Sequence, residues 1–297
     1  MTGRTNRRSS SRLKSSEQDP LVYRRIGLNR IAFRPFPSGT GGTRPTILAL
    51  HGFTGSGEDF LPLRDALGHD FAHWLLPDWP GHGRSSSPTV VEAFQLAACR
   101  AILHEAVRMA PRDSPLVLLA YSMGGRLAWH VLRDLPFRKI FLLSTSPGLG
   151  DPHARARRRE ADGAWIRMLE RKPVAAFATA WERQELIRPQ TGIPEPRRTA
   201  LARRRRANAA RGLAYSLRAV GTGTLPSRWH GLAEDPPTIL LTGEKDRKFT
   251  KTAEQISAAY PHFQHIRLPA CGHAPHLEAP EALAAVLRAV LRSPDFR

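Results

Sequence analysis

The sequence predicts a mostly parallel α/β sheet of eight strands, covered by helices on both faces and interrupted by one inserted helical segment. Three observations lead there. Short, nearly continuous apolar bursts are bounded by turn residues, as in strands buried on both faces. Longer helical patterns separate most of them, as crossover connections require. The alternation then breaks once, over residues 147–236, a stretch too long for a connection and helical in pattern.

Taken in order, residues 21–26 and 30–33 read as a leading strand pair around a turn at 27–29. Apolar bursts follow at 46–50, 72–76, 116–121, 140–144, 238–241 and 265–268, with helical patterns at 90–109, 123–135, 252–259 and 280–291. This divides the chain into a core of residues 19–146 and 237–297, a helical cap of 147–236, and a tail of 1–18. The tail is rich in Ser and Arg and lacks apolar periodicity. A transit peptide shares that composition, but a disordered basic tail is the preferred reading.

Composition narrows the functional classes. Hydrophobic residues make up 41% of the 297, enough for a sizeable core, which excludes a wholly disordered chain. No apolar run approaches the roughly 18 residues of a spanning helix. Two cysteines, Cys99 and Cys271, supply neither a disulfide framework nor a four-thiolate metal site, so a cytoplasmic protein is expected. Net charge is +19, and residues 151–232 alone carry 18 basic against 7 acidic side chains. Such a stretch attracts an anionic partner or forms a solvated arginine-rich surface, and charge alone does not choose.

The chemistry concentrates at the ends of the predicted strands, where open α/β sheets bind ligands. After residues 116–121 comes Ala120-Tyr121-Ser122-Met123-Gly124-Gly125 and a helix. A serine between strand and helix, flanked by small residues, is a nucleophile elbow, with Ala120 standing where glycine is usual. A serine hydroxyl is nearly inert at neutral pH and needs an imidazole oriented by an acid. The order Ser, Asp, His is expected, and Thr242-Gly243-Glu244-Lys245-Asp246 offers Asp246, with Glu244 as competitor. Ala270-Cys271-Gly272-His273 then offers His273, with Cys271 read as packing. His51-Gly52-Phe53-Thr54-Gly55-Ser56 places the Phe53 backbone N–H to pair with that of Met123 as an oxyanion hole. Residues 78–85, Asp-Trp-Pro-Gly-His-Gly-Arg-Ser, read as a structural turn beside the site. His262, His265, His273 and His276 are closely spaced but fall on a strand and a loop with no acid or thiol cluster, so neither a metal nor another cofactor is expected.

Together with Ser146-Pro147-Gly148-Leu149, Gly221-Thr222-Gly223 and Gly243-Glu244-Lys245-Asp246-Arg247-Lys248-Phe249, these motifs resemble the 2-succinyl-6-hydroxy-2,4-cyclohexadiene-1-carboxylate synthase family of menaquinone biosynthesis, a branch of the α/β-hydrolase fold. The likeness runs from about Thr46 to the C-terminus. It implies a lyase that eliminates pyruvate from a small tricarboxylate, with Ser122, activated by His273 and Asp246, as general base and no acyl-enzyme. It also implies that Tyr121, Arg126, Arg158, Trp181 and Arg205 bind substrate. Arginine suits that role because it offers bidentate, permanently charged donors to carboxylates. Arg126 lies four residues after Ser122, on the same helical face. A serine hydrolase of the same fold, a carbon–carbon bond hydrolase or esterase, is the alternative. A haloalkane dehalogenase would need aspartate at Ser122. A nucleic-acid-binding role is remote, because no binding module is recognisable and aromatics are only 7%.

Overall fold

The computed structural model describes residues 20–37, 44–68 and 73–293. The basic tail at 1–18 lies outside the described residues, as does Ala72, the expected start of the fourth strand.

Eight strands form one sheet: β1 (Val22–Ile26), β2 (Asn29–Phe36), β3 (Thr46–Leu50), β4 (His73–Pro77), β5 (Leu116–Tyr121), β6 (Phe137–Leu143), β7 (Thr238–Gly243) and β8 (Phe263–Leu268). Their order is β1-β2-β4-β3-β5-β6-β7-β8. β2 runs antiparallel to β1 and β4, and every other pairing is parallel. The central strands alternate between two cores. Leu48, Leu50, Leu118, Ala120, Ile140, Leu142 and Leu240 face one side, while Ile47, Ala49, Val117, Leu119, Phe141, Leu143 and Leu241 face the other. Side chains in a strand alternate sides, so a run apolar at every position needs cover on both.

Helices α1 (Leu61–Leu67) and α10 (Pro280–Leu291) cover one face through Leu63, Leu67, Leu283 and Leu287. Helices α2 (Leu96–Met109) and α8 (Arg247–Ala259) cover the other through Ile102, Leu103, Ala253 and Ile256. Burying each such leucine contributes about 2 kcal/mol. The 78–85 turn is pinned by Asp78, whose fully buried carboxylate accepts from Arg34 at 2.9 Å, from Gly57 N–H at 2.7 Å and from Arg84 N–H at 2.8 Å.

Three helices differ from their sequence pattern. The pattern at 90–109 is a 3-10 turn, Val91–Phe94, then an extended Gln95 before α2. The pattern at 123–135 ends early, with α3 spanning only Met123–Ala128. Beyond it the carbonyls of Trp129 and His130 are taken by the guanidinium groups of Arg228 (3.1 Å) and Arg100 (3.3 Å), and the chain tightens into i+3 turns. Helix α8 starts five residues before the expected position 252, because the Asp246 carboxylate accepts from the Phe249 amide and caps it.

Between β6 and β7 the chain leaves the sheet and forms α4 (Pro152–Arg171), α5 (Val174–Glu182), α6 (Arg197–Ala207) and α7 (Ala210–Val220). Asp151 starts α4 by accepting from the amides of His153 and Ala154, both at 3.0 Å. Leu169, Phe177, Leu213 and Leu217 form a separate small core among these helices, against which Phe53, Trp165 and Trp181 pack. Among the described residues no helix is long and apolar enough to cross a membrane.

Candidate active site

Ser122 follows β5 directly and adopts φ 49°, ψ −106°, a backbone conformation costly for a side-chain-bearing residue, at about 1–3 kcal/mol. Surrounding bonds hold it there. Its N–H donates to Leu143 O at 2.9 Å, and its carbonyl accepts from Thr145 Oγ1 at 2.9 Å and from Arg126 N–H at 2.8 Å. A side chain at Gly124 would place its Cβ 2.7 Å from His51 O, so only glycine lets α3 approach the end of β3. Ala120 is fully buried beneath the elbow, with its methyl packed in the core.

The two expected partners converge on this hydroxyl. His273 Nε2 lies 3.1 Å from Ser122 Oγ, and its Nδ1 lies 2.7 Å from Asp246 Oδ2. The imidazole is buried, and the rings of Phe249 and Tyr121 wall it at centroid distances of 4.9 and 5.3 Å. With Asp246 accepting at Nδ1, that nitrogen carries the proton and Nε2 is free to accept from serine. Glu244 acts elsewhere, its carboxylate accepting from the Ala270 amide at 3.1 Å.

Phe53 and Met123 both border the space above Ser122, and neither backbone N–H donates a hydrogen bond among the described residues. The loop carrying Phe53 is fixed by His51, whose Nδ1–H donates to Gly52 O at 2.8 Å while Nε2 accepts from Trp79 N–H at 3.0 Å. That bonding demands a neutral ring, and burial pushes the His51 pKa down.

The cavity over Ser122 and His273 has a volume of about 380 Å³ and takes its far wall from α4, α5 and α7. Tyr121, Arg126, Arg158 and Trp181 all line it. Arg126 donates to Val220 O at 3.2 Å, but its Nε is buried without a partner among the described residues. Burial, reinforced by the neighbouring Arg158 charge, lowers its pKa to about 10. Arg158 pairs with Asp162 at 2.9 Å. Burial pushes the Tyr121 phenol well above its ordinary value, so it stays a neutral donor.

Arg205 is placed differently from the expectation. It lies outside this lining, in an adjacent depression behind Ile187, where Gln190 and Glu182 hold its guanidinium. Its neighbours are engaged too, Arg204 with Asp59 at 2.8 Å and Arg206 with Glu182 at 3.0 Å. Sequence reasoning missed Lys248, which lines the cavity beside the triad. No carboxylate pairs with it among the described residues, and burial, then Arg158, lowers its pKa. The signal was its place two residues after Asp246, within the first turn of α8.

A Ser–His–Asp chain at the carboxyl ends of a mostly parallel sheet is widely shared, and residues 47–286 match the family model described as alpha/beta hydrolase family. The chain belongs to the alpha/beta hydrolase family. Within that family it is similar to 2-succinyl-6-hydroxy-2,4-cyclohexadiene-1-carboxylate synthases. The enzyme from Enterobacter sp. is 31% identical over 254 residues, covering 84% of this chain and 92% of the relative. That from Klebsiella pneumoniae is 30% identical over 258 residues, covering 84% and 94%. Among solved structures, MenH from S. aureus superposes with a TM-score of 0.78 at 26% identity, covering 88% of this chain and 97% of that one. An esterase from Thermogutta terrifontis, at 22% identity and a TM-score of 0.75, shares this alpha/beta hydrolase fold.

Proposed function

We propose that this chain is a carbon–oxygen lyase. It eliminates pyruvate from 2-succinyl-5-enolpyruvoyl-6-hydroxy-3-cyclohexene-1-carboxylate, yielding 2-succinyl-6-hydroxy-2,4-cyclohexadiene-1-carboxylate in menaquinone biosynthesis. The observation that carries the reading is the composition of the cavity wall: Arg126, Arg158 and Lys248 gather over Ser122 in about 380 Å³. Burial and mutual repulsion oppose that gathering, as the lowered values of Arg126 and Lys248 report. A guest bearing several carboxylates relieves both costs at once. The names carried by the relatives point to the same substrate.

In this mechanism His273 Nε2 accepts the Ser122 hydroxyl proton as Ser122 Oγ removes a ring proton beside the succinyl carbonyl. The developing enolate oxygen is held by the amides of Phe53 and Met123. As the enolate collapses, a C2=C3 double bond forms, the ring C3=C4 double bond shifts to C4=C5, and the C5–O bond to the enolpyruvoyl group breaks. The departing pyruvate enolate takes up the proton held on His273, leaving as pyruvate. Asp246 keeps the imidazole in the accepting tautomer. Tyr121 and Trp181 shape the cavity, and Arg205 stands behind it, held by Gln190 and Glu182. Residues 147–236 serve as the cap that closes over the guest. The partner is thus a small polyanion rather than nucleic acid, and the free cysteines Cys99 and Cys271 accord with a cytoplasmic setting.

The deciding experiment supplies the enolpyruvoyl substrate and follows pyruvate release together with diene absorbance. Equal yields of both support the lyase, whereas absence of turnover by folded protein rejects it. Rapid-quench mass spectrometry should find no acyl group on Ser122 during turnover. A covalent adduct there would replace base catalysis with a hydrolase mechanism.

A further inference from the structure

We propose that Glu278 is a positioning residue for His273, clamping the backbone on both sides of it. One carboxylate oxygen, Oε2, accepts from the Gly272 N–H at 2.6 Å, and the other, Oε1, accepts from the Ala274 N–H at 2.9 Å. These are the residues immediately before and after His273. Glu278 closes the ring from its own side, since its backbone N–H donates to Ala274 O at 2.8 Å.

The loop needs such a clamp. It follows β8, has no strand neighbour beyond Leu268, and includes Ala270 in the left-handed region at φ 59°. Its other anchors are the Glu244 carboxylate on the Ala270 amide (3.1 Å) and the Lys245 amide on the Cys271 carbonyl (2.9 Å). The alternate amides of residues 270, 272 and 274 are therefore each bound by a carboxylate, and Glu278 supplies two of the three. Gly272 makes the approach feasible, because a Cβ there would sit 2.9 Å from Glu278 Oε2 and 2.7 Å from Pro189 Cβ. Hydrogen bonds to a carboxylate are roughly twice as strong as neutral ones, so this clamp is stiff. What it holds is an imidazole that must satisfy Asp246 at 2.7 Å and Ser122 at 3.1 Å simultaneously.

The proposal rests on the reading of Ser122, His273 and Asp246 as the catalytic groups, and the test separates the two. Glutamine at position 278 keeps the size of the side chain but loses the charge, and it turns an N–H toward one of the two amides. Glu278→Gln should lower kcat, and the rate at which a fluorophosphonate labels Ser122, by about 10- to 100-fold, the scale of an ångström-sized misplacement. KM should stay within about two-fold, because no cavity contact changes. Asp235→Asn is the control for a purely scaffold effect. Asp235 lies just before β7, at the opposite end of the sheet, where its buried carboxylate binds Arg133 and Arg228. At an equal fall in Tm, that variant should retain its labelling rate. Wild-type protein that resists the fluorophosphonate overturns the triad reading. Labelled wild type with an equally fast Glu278→Gln overturns the clamp alone, as does an equal loss in Asp235→Asn. Should Glu278→Gln fail to fold, Glu278→Asp, with the charge kept one methylene short, is measured by the same rates. An unchanged labelling rate there also overturns the proposal.

Discussion

Replacing Arg126 by methionine should make the protein more stable and the enzyme much worse. The Arg126 pKa lies near 10 against an ordinary 12.5, a difference of two and a half units at about 1.4 kcal/mol each. At pH 7 the guanidinium is protonated in both folded and unfolded chains, and the folded environment holds its proton less tightly, so the charge weakens the fold. Solvent reaches part of this side chain, which reduces the penalty to about 2–3 kcal/mol. Loss of the hydrogen bond to Val220 O returns about 1 kcal/mol. The net gain, about 1–2 kcal/mol, corresponds to a rise in Tm of roughly 2–3 °C for a chain of this length. Turnover should move the other way. A desolvated ion pair with a substrate carboxylate is worth about 2–5 kcal/mol, so kcat/KM should fall from roughly 30-fold to several thousand-fold. Scanning calorimetry with and without citrate, as a stand-in polycarboxylate, reads both effects. Citrate should raise the Tm of wild type and leave the variant nearly unmoved. A variant with lower Tm and unchanged kcat/KM would refute the reasoning.

Ser122→Ala should lower kcat by several orders of magnitude while leaving the Kd for substrate largely intact, as measured by single-turnover kinetics and equilibrium binding. Lys248→Met removes a cavity cation with no carboxylate partner among the described residues, so KM should rise about 10- to 100-fold with a smaller change in kcat. Stability should fall with acidity through His276. Its ring is fully buried, stacks on Phe60 with centroids 4.6 Å apart, and has a pKa lowered to about 3 by desolvation. The neutral ring is tolerated in the fold, so its contribution is intact above pH 6.5 and declines by about 1.4 kcal/mol per unit down to about 3. Denaturant titrations of His276→Phe should show a shallower loss between pH 6 and 4, and an unaltered slope would remove His276 from the account.

The parts of this molecule that were readable in advance are those encoded by local pattern. A serine between an apolar burst and a helix, with small neighbours, already describes the elbow. Chain order then selects an acid and an imidazole from two later strand ends. Arg126 was legible through the family resemblance, and helical spacing added only that it shares a face with Ser122. Glu244 and Asp246 both stand at the end of β7, and only tertiary geometry shows that the first binds the Ala270 amide and the second the imidazole. Positions 203–206 illustrate a deeper limit. Four consecutive arginines step around a helix by about 100° each, so no periodicity marks which one turns inward. The answer depends on Asp59, Gln190 and Glu182, far away in sequence. Lys248 and Glu278 escaped notice because each lies in a helical turn that periodicity did not reveal, the start of α8 and the four-residue α9 (Pro275–Glu278).

Asp246 divides its two oxygens between unrelated duties, Oδ1 toward the Phe249 amide and Oδ2 toward the imidazole. Asparagine, the nearest neutral mimic, has one oxygen to share. Turned to cap the helix, it aims an NH₂ at His273 Nδ1, which leaves the only ring proton on the nitrogen facing serine and the base unable to accept. Turned the other way, it serves the ring and leaves the helix start uncapped. No amide rotamer satisfies both, so the architecture of one helix and the proton inventory of the reaction are tied to the same symmetric anion.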